Sequence, residues 1–206
     1  MKRSYDTIAF IYDRLARLVF GSTLIRAQQY LLVNTISPGG SILIVGGGTG
    51  WILEEITFIQ ASGLNITYVD ASAKMVALAK KRNTGANKVT FIALPIQQVV
   101  IDDVYDIVLT PFFFDNFTNE DAQEIFSSID RSMNRGGVWL YCDFNKTTVF
   151  WQKTVLKIMY FFFRISCGIK TDKLPDMGSC FAKHGYQLKN QKTFLNGFIN
   201  AAVYTR

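Results

Sequence analysis

Histidine is almost absent from this chain: His184 is the only one in 206 residues. A zinc site rich in imidazole, or a Ser-His-Asp triad, would have to be built around that single ring, so both are set aside. Cysteine is scarce as well. Cys142, Cys167 and Cys180 are odd in number and lack metal-ligand spacing, which predicts reduced, mostly buried thiols, a cytoplasmic protein and no bound metal. Uncharged apolar runs stay shorter than the roughly 18 residues of a bilayer span, so no transmembrane segment is expected. Met1-Lys2-Arg3 is followed by Asp6 and Asp13 with no small-residue cleavage site, so no signal peptide is expected either. Arginine-rich runs and nucleic-acid modules are missing, and no nucleic-acid partner is expected.

What the chain does hold is apolar mass. Hydrophobic residues make up 49% and charged residues only 18%, which suits one domain with a sizeable core and excludes a disordered chain. The net charge is +6. Its excess falls on one helical stretch (Lys74, Lys80, Lys81, Arg82) and on the C-terminal third. A basic balance of this kind serves anionic substrates, nucleic acid, a membrane surface or simply a solvated face.

Periodicity organises the chain. Ile8, Ile11, Tyr12, Leu15, Leu18 and Val19 recur at three- and four-residue steps within a helical region over 4–35, stopped by Pro38-Gly39-Gly40. Strands and helices then alternate: strand 42–45, helix 50–61, strand 66–70, helix 72–83 with Ser72 as its N-cap, strand 89–93, strand 106–110, helix 119–133, strand 138–142 and helix 147–165. Asn134 to Gly137 reads as the turn between the last helix–strand pair. The end reads as a hairpin, 186–194 and 198–205, around Asn196-Gly197. Such alternation implies an α/β fold: a mostly parallel sheet, helices on both faces, an antiparallel pair at its edge, and a ligand at the carboxyl ends of the strands.

The most specific signal is Ile42-Leu43-Ile44-Val45-Gly46-Gly47-Gly48-Thr49-Gly50, a buried strand entering a G-x-G-x-G turn. A dinucleotide turn has its third glycine one residue later, where this chain has Trp51. The next strand ends in Asp70, 20 residues after Gly50, where a carboxylate can accept hydrogen bonds from ribose hydroxyls. On these residues the chain resembles the class I S-adenosylmethionine-dependent methyltransferases. The resemblance implies a Rossmann-like, seven-stranded, mostly parallel sheet with an antiparallel terminal hairpin. It implies S-adenosylmethionine as cofactor and S-adenosylhomocysteine as product. It also implies a cofactor site of Gly46, Gly48, Gly50, Asp70, Ala71, Met75, Ile96, Gln97 and Thr110.

Two positions depart from the family pattern. Leu94-Pro95-Ile96 stands where an acid usually receives the adenine amino group, leaving the Ile96 N–H and the Gln97 side chain for that contact. Ile44 stands where many members carry an acid. An aliphatic residue there is similar to the loop of aminopropyltransferases, which use decarboxylated S-adenosylmethionine. That enzyme class is therefore the second reading, and a non-catalytic nucleoside-binding or scaffold protein of the same fold is the third.

The segment from Tyr5-Asp6 through Tyr12-Asp13 to Phe20-Gly21 looks like the opening of the ubiquinone/menaquinone-biosynthesis type of methyltransferase. The resemblance implies a helical lid over residues 1–37, with Tyr12 on it, above a core of 38–206. The acceptor is expected beyond the fourth strand, at Pro111-Phe112-Phe113-Phe114-Asp115-Asn116-Phe117. Four phenylalanines around one Asp-Asn pair suggest an apolar pocket with placed polar groups. Phe112, Phe113 and Asn116 are its candidate wall, and Asp115 is a candidate catalytic base or anchor. Thr110 replaces the amide that amino-group methyltransferases of nucleobases need, and no Pro-Cys dipeptide exists for a cytosine-C5 enzyme. Helix 147–165 offers a wide apolar face, read either as a substrate cover or as a homodimer interface. The expected activity is methyl transfer to a small, fairly apolar acceptor at oxygen, nitrogen or carbon.

Overall fold

A computed structural model describes residues 5–33, 35–101 and 104–206. Residues 4 and 34 of the expected helical region, and Met1, Lys2 and Arg3 before it, lie outside these. The elements in chain order are α1 (Ala9–Phe20), α2 (Thr23–Leu32), β1 (Ser41–Val45), α3 (Trp51–Ile59), β2 (Ser62–Val69), α4 (Ala73–Ala79), β3 (Ala86–Ile92), β4 (Tyr105–Pro111), α5 (Asn119–Asp130), β5 (Met133–Phe144), α6 (Phe150–Cys167), α7 (Met177–Lys183), β6 (Gln187–Phe194) and β7 (Ile199–Thr205). The seven strands form one sheet in the order β3-β2-β1-β4-β5-β7-β6. β1 pairs in parallel with β2 and β4, whereas β7 runs antiparallel between β5 and β6.

Strand order reverses between β1 and β4, which opens a crevice at their carboxyl ends. β1 is buried on both sides, as an apolar strand at the centre of a parallel sheet must be. Its alternation divides the core. Ile42 and Ile44 pack with Leu31 of α2 and Ile52 of α3, and Leu43 and Val45 pack with Phe126 of α5 and Phe181 of α7.

Three local expectations need correction. The helix predicted over 119–133 stops at Asp130, and Asn134 to Gly137 lie inside β5 rather than in a turn. The register jumps there, from Met133 opposite Tyr105 to Val138 opposite Ile107, with Gly136 at φ 76°. Glycines that read as a helix stop thus form a bulge. Helix α7 was not anticipated; its cap, Asp176, accepts hydrogen bonds from the Ser179 N–H at 3.2 Å and its hydroxyl at 2.8 Å. β2 begins at Ser62, four residues ahead of the strand expected over 66–70, and ends at Val69.

Candidate active site

β1 runs directly into the glycine turn. Gly46, Gly48 and Gly50 all have left-handed backbone, with φ of 71°, 64° and 79°. Their surroundings differ. A Cβ on Gly46 would meet the Phe113 ring at 2.6 Å, and one on Gly50 would meet the Ala79 Cβ at 2.5 Å. Gly50 therefore lets α3 lie close against α4, the packing task that a dinucleotide turn gives to the position of Trp51. At Gly48 a Cβ would meet nothing within 4 Å. The apex of the turn is open.

Asp70, at the end of β2, reaches under that apex. Its Oδ2 accepts from the Gly48 N–H at 2.9 Å, and its Oδ1 accepts from the Ser72 N–H at 2.8 Å. Burial raises its pKa from 3.8 to about 6, against the lowering effect of those two donors. Each oxygen has a second lone pair, so the carboxylate can accept further hydrogen bonds from a ligand diol. Asp70 and the turn form the floor of a cavity of about 390 Å³, walled by Ala71, Met75, Phe112 and Phe113 and roofed by Tyr12 and Arg17 of α1.

The roof is tied down at two points. Both oxygens of Asp13 on α1 accept from the Thr49 hydroxyl, at 2.9 and 2.8 Å, and Arg82 lies 3.5 Å from the same carboxylate. Arg82 also donates to the Thr49 carbonyl at 3.1 Å and pairs with Glu54 at 3.2 Å. Ahead of α1, Asp6 accepts from the Ser72 hydroxyl at 2.5 Å and the Lys74 N–H at 2.9 Å, adding to the N-terminal cap of α4.

A second cavity of about 160 Å³ lies behind the first and shares Tyr5, Tyr12, Phe112 and Asn116 with it. Leu15 and Val19 of α1, Phe144 of β5, and Ile158, Phe162 and Phe163 of α6 make it apolar. Its carboxyl is Asp115. The Asn116 amide donates to Asp115 at 2.7 Å, and the Tyr5 hydroxyl donates to the Asn116 side-chain oxygen. Phe112, between the two cavities, has φ 50°, which is strained for an aromatic residue.

Asp143, at the end of β5, completes the group. It is 1% exposed and accepts N–H donors from Phe114, Asp115 and Phe144 at 3.0, 3.2 and 2.8 Å. Burial raises the pKa of both acids, and for Asp115 the nearby Asp143 charge raises it further. The three backbone donors of Asp143 favour its charged form, whereas burial and the Asp143 charge both favour the protonated form of Asp115.

Of the residues singled out from the sequence, Gly46, Gly48, Asp70, Ala71, Met75, Tyr12, Phe112, Phe113 and Asn116 line the larger cavity. Asp115 lines the smaller one. Four others do not line either cavity. Gly50 packs against α4, and Ile96 is 4% exposed, packed into the core. Gln97 is exposed to solvent. The fully buried Thr110 points to the opposite sheet face, where its hydroxyl accepts from Trp139 Nε1 at 3.0 Å. His184 is held against Ser127, Cys180 and Phe126 beside α5 and α7. Asp143 was missed, although an acid ending an apolar strand is the signal that marked Asp70.

The methyltransferase-domain family model matches residues 43–141, from β1 into β5. The chain is 28% identical over 190 residues to a ubiquinone/menaquinone biosynthesis C-methyltransferase UbiE of Geotalea daltonii, spanning 89% of this chain and 75% of that one. It is 27% identical over 145 residues to a malonyl-[acyl-carrier protein] O-methyltransferase of Bacillus cytotoxicus, spanning 70% of this chain and 47% of that relative's length. Its fold matches the crystal structure of magnesium protoporphyrin IX methyltransferase from Synechocystis, solved with SAH bound, at a TM-score of 0.66 and 18% identity. That match spans 90% of this chain and 82% of the other. The family match, the relatives and the fold together support a class I S-adenosylmethionine-dependent methyltransferase. The matched region carries the glycine turn, Asp70, Phe112 and Asp115. The roof formed by α1 and α6 lies outside it.

Proposed function

We propose that the chain transfers a methyl group from S-adenosylmethionine to a small, largely apolar acceptor seated in the 160 Å³ chamber. The observation that carries this reading is the junction of two unlike cavities across Tyr5, Tyr12, Phe112 and Asn116. The open apex at Gly48 and the half-satisfied Asp70 carboxylate suit the cofactor. The turn backbone would hold its methionine end, Asp70 its ribose, and Ala71 and Met75 its adenine. The cofactor supplies an electrophilic methyl carbon with sulfide as leaving group.

The protein's part is alignment and exclusion of water. An apolar cavity of about 150 Å³ admits benzene, so the chamber fits an acceptor with one ring or a short branched chain. A protonated Asp115 donates a hydrogen bond to an acceptor oxygen and orients the neighbouring nucleophilic atom toward the larger cavity. Residues 1–37 act as the lid, held shut by Asp13 and Asp6 and by Tyr5, whose ring lies 5.7 Å from Phe163 of α6. The quinone-biosynthesis name of one relative agrees with a ring-sized acceptor. An aminopropyl reading needs ionised carboxylates around a diamine, whereas burial raises the Asp115 pKa and disfavours its charged form.

Calorimetric titration with S-adenosylmethionine and S-adenosylhomocysteine tests the cofactor. Micromolar binding of both is expected, and affinity no better than millimolar would overturn the reading. Turnover is then sought over phenols, quinols, hydroxy acids and diamines. Activity on a diamine with decarboxylated cofactor would establish the aminopropyl alternative.

A further inference from the structure

Helix α6 carries several large apolar side chains outward. Phe150, Ile158, Phe161 and Ile165 are 84%, 62%, 66% and 53% exposed, at the three- and four-residue steps of one helical face. Hydrophobic residues on an isolated surface helix normally face the core. Across the smaller cavity, α1 does the same with Phe10 and Leu18. Val19 of α1 and Ile158 of α6 are exposed and also line the chamber, so the chamber opens between these two outer faces.

The charge on these faces has one sign. Arg14 and Arg17 on α1, and Lys153, Lys157 and Arg164 on α6, are exposed. None of the five is ion-paired among the described residues. α6 contains no acidic residue, and the one acid of α1, Asp13, is turned inward onto Thr49. A second copy of the chain meeting this face two-fold would set these cations against their own copies. An apolar face flanked by lysine and arginine, with Trp151 at its border, matches a helix lying in the headgroup region of an anionic bilayer. No helix among the described residues is long and apolar enough to cross one.

We infer that the outer faces of α1 and α6 dock on an anionic membrane surface, which places the mouth of the chamber against the lipid. This does not rest on the methyl-transfer reading. The test is flotation of the purified full chain with vesicles of phosphatidylcholine, alone or mixed with phosphatidylglycerol. The chain is expected to float with the mixed vesicles and to be released by salt. Lys153→Gln and Lys157→Gln should each weaken binding about fivefold. Phe161→Ser with Ile165→Ser should abolish it while leaving S-adenosylhomocysteine affinity and thermal midpoint unchanged, since both side chains face solvent.

Absence of flotation, or equal flotation with neutral and anionic vesicles, would overturn the inference. So would binding to soluble polyglutamate but not to vesicles, which indicates an acidic protein partner. A dimer in sedimentation that the serine substitutions dissociate, with no vesicle binding, would assign the face to a second copy.

Discussion

The two cavities share a wall yet are built by opposite means. The floor of the larger one is backbone: a turn of left-handed glycines, two N–H groups clamping Asp70, and strand ends that a parallel sheet brings together. The smaller one is made of side chains from α1, the segment after β4, β5 and α6, and its carboxyl, Asp115, is buried beside Asp143. Backbone can bind the same polar ligand through many evolutionary changes of side chain. A side-chain cavity takes its selectivity from each residue that lines it. The contrast assigns cofactor affinity to the first region and turnover and acceptor choice to the second.

Substitutions at the acids give the sharpest separation. Asp115→Ala is expected to lower turnover about 100-fold, within the usual range for a lost acid–base group, while S-adenosylhomocysteine affinity stays within twofold. Asp115→Asn keeps a donor and should recover part of that loss. If both variants lose equally, Asp115 does not act as a hydrogen-bond donor. If both also lose cofactor affinity, the division between cavities fails.

Asp70→Ala should act in the reverse sense, weakening cofactor binding by more than tenfold, or about 1.4 kcal/mol, in the same titration. Unchanged affinity would remove Asp70 from the cofactor site.

The pH response of Asp70 has two opposite signs. A carboxyl whose folded pKa of about 6 exceeds its ordinary 3.8 binds its proton more tightly in the native state. Its ionisation therefore destabilises the fold, and stability falls as pH rises from 3.8 through about 6. In the proposed site the ribose hydroxyls donate to the ionised form, so cofactor affinity should fall as pH drops below about 6, by about tenfold at pH 5. Chemical denaturation and calorimetry across this window check both, and Asp70→Asn should flatten both profiles.

The smallest effect is expected at the latch. Asp13→Asn weakens a partly exposed contact to Thr49 and Arg82, so cofactor affinity should fall only two- to fivefold, about the worth of a surface ion pair. Loss much beyond this, measured by the same calorimetry, would place Asp13 in direct contact with ligand.

Legibility from sequence followed the same divide. The strand–turn–strand from Ile42 to Asp70 was readable because hydrophobic alternation, glycine and a terminal acid are all local signals. Boundaries failed where glycine had two uses: Gly136 and Gly137 end a helix in pattern but form a bulge in the sheet. Thr110 was misplaced because strand register decides which face a side chain takes, and Trp139 Nε1 claimed its hydroxyl. Ile96 was lost to the core for the same reason.

By itself the sequence determined the alternation of strands and helices from β1 to α6, the mostly parallel sheet and the glycine turn with Asp70, because each depends on residues close together in the chain. Only the tertiary structure decided that Asp143, 28 residues beyond Asp115, accepts the N–H of that residue and raises its pKa. Only it decided that α1 and α6 close one chamber while turning apolar, cationic faces outward. Burial, pKa and exposure are properties of packing between distant segments, and no local pattern carries them.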